Sequence, residues 1–333
     1  MANLTDELLV RGNRIKNRIV MAPMVTFSFS GDNGSYYGKQ HLEHYTRRAK
    51  GGAGLIIVQA TRVVGAATSK NMWSPDNIAT LKKIASNCHG YGATIMMQLS
   101  CGDMDINELS TDEVKLMQAD MKQAALSACQ MGFDGVEYHF AHGFTLCKFL
   151  DASYNKRTDA YGGDAANRAK ILTELLPEIR NNTHDKFIVS VRMSESLPRS
   201  HDGIEVARIF EQAGIDMLHI SFGLKVPPDT VPEGFICSSL TYSGCKMKKE
   251  VRIPVIAVNE IRTEKQVRFL IENDYIDLVA IGRGMFADPE FANHVIRGEP
   301  VNRCFSCGDG VRKCLWFTDH TLCPARRNGH IPL

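Results

Sequence analysis

Two histidines three residues apart, His139 and His142, sit in the run Asp134-Gly-Val-Glu-Tyr-His139-Phe-Ala-His142-Gly-Phe144, directly after a short apolar segment. Two imidazole donors can grip one substrate oxygen and polarise it. A histidine pair alone reads as packed core; placed where a strand ends, it reads as a site. The block runs on through Asn155-Lys-Arg-Thr-Asp159, Tyr161-Gly-Gly163 and Asn167-Arg168. Arg157, Asp159, Tyr161 and Arg168 are suited to fixing a long loop by ion pairs and hydrogen bonds. A second chemistry-bearing group is Cys304-x2-Cys307-x6-Cys314-x8-Cys323. Crowded thiolates in a reducing compartment point to metal, and four of them suit either a [4Fe-4S] cubane or structural Zn2+. Cys88, Cys129 and Cys245 read as ordinary packing residues.

The elements that must position these groups are legible as eight short apolar runs: Arg18–Met21, Leu55–Gln59, Thr94–Leu99, Gly135–Tyr138, Ile188–Arg192, Met217–Ser221, Val255–Val258 and Leu278–Ile281. They are continuous rather than alternating, as parallel strands covered on both faces are. Helical patterns fill the gaps. Ser110-x-x-Glu113 is a capping box opening a helix to about Met131. Asn167–Asn181 carries Ile171, Leu172, Leu175, Leu176 and Ile179 on one stripe. Thr263-x-x-Gln266 opens another helix, and Asp288-Pro289 a last one toward Arg297. The run Lys246-Met-Lys-Lys249 reads as a solvated helix face. Eight strands alternating with helices predict a single (β/α)8 barrel over residues 1–300. No Gly-x-Gly-x-x-Gly follows the first strand, as a doubly wound sheet would require. Leu8–Ile15, turning at Arg11-Gly-Asn, predicts a small hairpin across the barrel bottom. Residues 301–333 form a Cys-rich extension.

The 333 residues carry 39 basic and 37 acidic side chains, a formal charge of +2, which gives no strong pull toward nucleic acid or an acidic membrane. The N-terminus is polar and acidic, without the basic-then-apolar pattern of a signal peptide, and no run approaches the length of a membrane helix. These features predict a cytoplasmic protein acting on a small-molecule substrate, with no nucleic-acid or membrane partner.

In a barrel, the catalytic groups lie at the C-terminal ends of the strands. Read there, the chain resembles the old yellow enzyme family, the NADH:flavin oxidoreductases, over nearly its whole length. The block His139–Arg168 and the run Ile281-Gly-Arg-Gly-Met-Phe-Ala-Asp-Pro289 carry the resemblance. It implies FMN as cofactor, NAD(P)H as an electron donor and a homo-oligomer. It places backbone contacts to the flavin at Pro23, Met24 and Ala60, and the pyrimidine edge at Gln98. It sets Arg192 beside flavin N1, where a fixed cation favours the reduced anion. Phosphate falls at Gly282 and Arg283, on backbone N–H groups late in the barrel. His139 and His142 are the oxygen grip. In its tail the chain is similar to the 2,4-dienoyl-CoA reductase and trimethylamine dehydrogenase branch, whose [4Fe-4S] cysteines match Cys304, Cys307, Cys314 and Cys323 in place but not in spacing. A partner protein could then deliver electrons.

Four positions depart from the family. Phe144 replaces a tyrosine that protonates substrate, and phenylalanine has no proton to give. Tyr36, Tyr37 and Cys147 are the candidate substitutes. Ser100-Cys101-Gly102-Asp103 lacks a His-x-Gly-Arg, and Cys101 reads as a buried inert thiol. Val25 replaces a threonine or cysteine that bonds flavin O4, with Thr26 next to it. Asn259 replaces a glycine, and asparagine tolerates positive φ. The expected activity is hydride transfer from reduced flavin to an unsaturated carbonyl or acyl thioester. The rival readings are a flavin electron carrier or sensor, and a demethylase or dehydrogenase on the same site.

Overall fold

The computed structural model describes residues 2–29, 37–63, 73–194, 202–222, 230–307, 314 and 320–327. A hairpin opens the chain, β1 (Leu8–Val10) against β2 (Asn13–Ile15). Arg11 and Gly12 turn it at φ 48° and 79°, the paired positive values a two-residue hairpin requires. Eight parallel strands follow: β3 (Ile19–Met21), β4 (Leu55–Arg62), β5 (Thr94–Ser100), β6 (Gly135–Phe140), β7 (Ile188–Met193), β8 (Met217–Ile220), β9 (Val255–Ala257) and β10 (Leu278–Ile281). They close in sequence order, with β10 pairing back to β3 through Val279–Ile19 and Ile281–Met21. All eight predicted strands are present, and the predicted barrel is the fold.

Between strands run α1 (Lys39–Lys50), α2 (Pro75–Gly90), α3 (Thr111–Gln130), α4 (Thr145–Leu150), α5 (Ala165–Thr173), α6 (Leu176–Asn182), α7 (Gly203–Ala213), α8 (Ser239–Lys248) and α9 (Glu264–Glu272). After β10 come α10 (Arg283–Ala287), α11 (Phe291–Arg297) and α12 (Pro324–Arg327). Ser110 caps α3 in the expected reciprocal box with Glu113, and Thr263 caps α9. Two helix expectations need correction. Asn167–Asn181 is not one helix but α5 and α6, because Pro177 has no N–H for the preceding turn and its ring crowds that carbonyl. The last helix starts at Phe291, after Pro289, because Asp288 is drawn into a turn by accepting the Glu290 N–H at 3.0 Å. The sequence reading also missed α10. The run Lys246–Lys249 closes α8 with Met247 fully buried, so only part of it faces solvent.

The core has two layers. Val20, Leu55, Ile57, Met96, Ile188, Met217, Ile256 and Leu278 point into the barrel, where Val10 and Ile15 of the hairpin plug the floor. A larger set packs the strands against the surrounding helices. Inward residues recur with period two, so Met96, Ile188 and Met217 on the floor lead upward to Gln98, then Ser190 and Arg192, and His219 and Ser221. The apolar floor thus gives way to buried polar side chains toward the mouth. Ala287, Cys304, Cys323 and Ala325 form a small separate cluster where the tail packs on α10. Among the described residues no helix is long and apolar enough to cross a membrane.

Candidate active site

The mouth is organised by a relay of four side chains from three strands and the turn after β6. His139 Nε2 and His142 Nδ1 lie 3.0 Å apart. His142 Nε2 reaches Ser221 Oγ at 2.9 Å, and Arg192 donates to the same oxygen at 2.9 Å. The turn makes this possible: His142 and Gly143 adopt φ 66° and 77°, so the chain reverses just past β6 and brings the second ring back onto the first. Burial, reinforced by Arg192, lowers the His139 pKa to about 3. Its ring is therefore neutral, a hydrogen-bond donor rather than a cation. His139 Nδ1 is buried with no hydrogen-bond partner.

An open cleft lies at this mouth and gathers Met24, His142, Arg192, Asn259, Gly282 and Arg283 with Ser221. Six residues expected from sequence to act together are thereby brought together. Gln98 and His139 join from beneath, Gln98 through Glu137 and His139 through His142. Ala60 lies on a bulge of β4, where the register shifts between Val58 and Thr61 opposite Gln98; bulges re-aim side chains beside sites. Pro23 and Val25 flank Met24 at the end of β3 without lining the cavity.

The features of the cavity fit a flavin nucleotide. A fixed guanidinium sits at the mouth, an amide able to donate and accept lies below it, and a glycine opens α10 at the rim. A Cβ on Gly282 would fall 3.0 Å from Met24 Sδ, so any larger residue must push the Met24 side chain aside. Asn259 stands at φ 109° and Glu260 at φ 52°. Asparagine thus takes the positive φ expected of it, and the strained pair lies where ligand contact concentrates such geometry. Arg48 braces the rim from behind: it is fully buried and donates to the Met285 carbonyl from Nε at 3.0 Å and Nη2 at 2.8 Å.

The departures resolve as follows. Phe144 caps α4 with its ring 5.4 Å from that of His139, so an apolar ring occupies the place beside the pair. Tyr37 is fully buried and its hydroxyl is paired with Thr61 Oγ1 at 2.6 Å. Cys147 is buried and its thiol is pushed up to about 11, chiefly by that burial. Tyr36 lies outside the described residues. Cys101 is buried, with its thiol pKa raised by desolvation, as an inert thiol would be. Thr26 does not stand in for Val25: its hydroxyl donates to Gln59 Oε1 at 2.8 Å and contacts His41 at 3.1 Å, turned into the core. The long loop is fixed as read. Arg157 pairs with Asp159 and donates to Ile106 and Leu109 carbonyls, and Arg168 pairs with Asp202.

Cys304 and Cys323 are buried against α10, Cys314 is partly buried and Cys307 is exposed. Burial, then neighbouring Cys304, pushes Cys314 up to about 11, with Cys323 and Cys307 adding to it. The four thiols share a neighbourhood, but among the described residues no three His, Cys, Asp or Glu side chains are placed to ligate a metal.

Sequence reading missed Ser221, Glu137 and His219. Each sits two residues from another inward residue on its strand, and that alternation was the available signal.

A closed parallel barrel with an arginine, an amide and a histidine pair at its C-terminal mouth defines a flavin-binding α/β barrel. The chain belongs to the NADH:flavin oxidoreductase / NADH oxidase family, which matches residues 8–107 and 101–302. A "NADPH dehydrogenase" of Halalkalibacterium halodurans is 31% identical, over 86% of this chain and 91% of that one. A "NADH oxidase" of Thermoanaerobacter brockii is 29% identical over 92% of this chain, which spans 53% of that protein's length. The old yellow enzyme homologue from Zymomonas mobilis superposes with a TM-score of 0.76 at 20% identity, over 96% of this chain and 99% of that one, a likeness of fold.

Proposed function

We propose that this chain is an FMN-dependent oxidoreductase that reduces an unsaturated carbonyl or acyl thioester, with NAD(P)H as electron donor. The observation that carries the reading is the His139–His142 pair, tied through Ser221 to Arg192 at the cavity mouth. When bound, FMN supplies hydride chemistry. The residues supply the rest. On substrate binding the hydrogen bond between His139 and His142 opens, and the two rings donate to the substrate oxygen and stabilise the charge it gains. Arg192, charged at every working pH, favours negative charge beside it. Gln98 answers the pyrimidine edge, and Gly282 and Arg283 the phosphate. Met24 and Asn259 line the surrounding wall, and Pro23, Val25 and Ala60 are the proposed flavin contacts beside it.

Phe144 favours a second reading. With an apolar phenylalanine ring beside His139, the same site suits a demethylation or dehydrogenation, or electron carriage without alkene reduction. Anaerobic titration tests the first step common to all: one FMN per chain, reduced by NAD(P)H or by dithionite, is the expected result. Flavin that no reductant bleaches, or no flavin after reconstitution, overturns the reading.

We further propose that Cys304, Cys307, Cys314 and Cys323 close on a metal, a [4Fe-4S] cluster ahead of Zn2+, since clustered thiols release protons to a bound ion. A partner protein would then be a second electron source. Iron, sulfide and zinc analysis of anaerobically prepared protein decides this, and absence of all three overturns it. A cytoplasmic homo-oligomer is the proposed working form.

A further inference from the structure

Beneath the mouth lies a buried carboxylate. Glu137 is fully buried on β6. Its Oε1 receives Gln98 Nε2 at 2.6 Å, and its Oε2 faces His219 Nδ1 at 2.8 Å. Burial would push this carboxyl up, but His219, Arg192 and Gln98 outweigh it and hold it below the ordinary carboxylate range. Burial lowers the His219 pKa against the pull of Glu137, and its Nδ1–H donates to the carboxylate.

Two consequences follow. An ionised carboxylate only accepts, so the Gln98 amide must turn its nitrogen toward Glu137. That fixes which end of the amide faces the cavity: its carbonyl oxygen and the second N–H remain for a ligand. The same carboxylate lies within electrostatic reach of Arg192, so the cation at the mouth is partly neutralised from below. In a buried setting such a charge is weakly screened.

We propose that Glu137, held by His219, is a positioning residue for the pyrimidine edge of the flavin: it locks the Gln98 amide and moderates the Arg192 charge, setting the bound flavin to a lower midpoint potential. The inference rests on the FMN reading above. Glu137→Gln keeps the volume and removes the charge, so Arg192 acts uncompensated on the reduced anion.

The experiment equilibrates wild type, E137Q and E137D, each loaded with FMN, against a reference dye without oxygen. E137Q is expected to favour reduced flavin at least tenfold over wild type, about 30 mV more positive for a two-electron couple. E137D, which keeps the charge, is expected to stay within about threefold. An unchanged or more negative potential in FMN-loaded E137Q overturns the proposal. So does a folded E137Q that no longer retains FMN, since Glu137 would then be scaffold. Should E137Q not fold, E137D decides: a potential near that of wild type supports the charge argument, and a tenfold displacement with charge retained overturns it. A wild type that binds no FMN removes the functional reading itself, whereas loaded wild type and E137Q with equal potentials remove this inference alone.

Discussion

The ring of Phe144 lies 5.4 Å from that of His139, the two planes inclined at 47°. A side chain that close to the pair will meet whatever the histidines hold. Phe144 is half-exposed at the head of α4, with room at its rim. Phe144→Tyr adds one hydroxyl there without disturbing the core. A positioned general acid contributes on the order of a hundredfold or more. The variant is therefore expected to raise turnover on 2-cyclohexenone at least tenfold while the rate of flavin reduction by NADPH stays the same. Equal turnover would place the proton source elsewhere.

Ser221 links the substrate grip to Arg192. Arginine only donates, so the Ser221 oxygen accepts from it and its own hydrogen is left for His142 Nε2. That leaves the His142 proton on Nδ1, donated to His139 Nε2 at 3.0 Å, and so orders the pair. Ser221→Ala frees the ring to take the other tautomer. The expected loss is about tenfold in kcat/KM for the enone with FMN content unchanged. Ser221→Thr, which restores the hydroxyl, is expected to recover most of it. Equal kinetics in S221A would show that the tautomer is set elsewhere.

Arg48 is expected to matter for cofactor binding from a distance. Its guanidinium holds the Met285 carbonyl and the His44 carbonyl and lies 5.7 Å over Phe286. Arg48→Met strips the Met285 carbonyl of both its side-chain donors, at about 1–3 kcal/mol. Thermal melting of the FMN-free protein should fall accordingly, and FMN affinity measured by fluorescence quenching should weaken about tenfold. A variant as stable as wild type with unchanged FMN affinity would contradict the brace.

Acid should destabilise the chain well above the carboxylate range. Burial holds His41 at about 4 and His139 at about 3, below the ordinary value near 6.5 in an unfolded chain. Between those values the unfolded state binds the proton and the folded state does not, so stability falls as pH drops from about 6.5 toward the folded values. His41 alone accounts for roughly 3 kcal/mol of that loss. Melting temperature against pH should slope downward below about 6.5, and His41→Gln should flatten the slope. A curve level to pH 4 would refute the assignment.

The barrel was legible because its strands are apolar on both faces, and eight such runs separated by helical stripes admit few other folds. Helix ends were harder. Pro177 splits a continuous apolar stripe, and stripes report which face is buried rather than whether the axis is unbroken. The histidine pair was legible from its place directly after a strand, and Arg192 and Gly282 from the family resemblance. Glu137, His219 and Ser221 were not, because a lone polar residue inside an apolar run carries no local sign of what it faces. Gln98 meets Glu137 across neighbouring strands, but His219 reaches the same carboxylate from two strands further round. Only closure of the barrel makes that a contact.

The most direct test is a single turnover. Protein loaded with FMN is reduced without oxygen and mixed rapidly with 2-cyclohexenone, and the return of the oxidised flavin spectrum is followed in wild type and in a His139→Ala, His142→Ala double variant. The account predicts saturable reoxidation with formation of cyclohexanone, slowed about a hundredfold in the double variant, with reduction by NADPH intact in both. Reoxidation no faster than that of free reduced FMN, or equally fast without the two histidines, would contradict it.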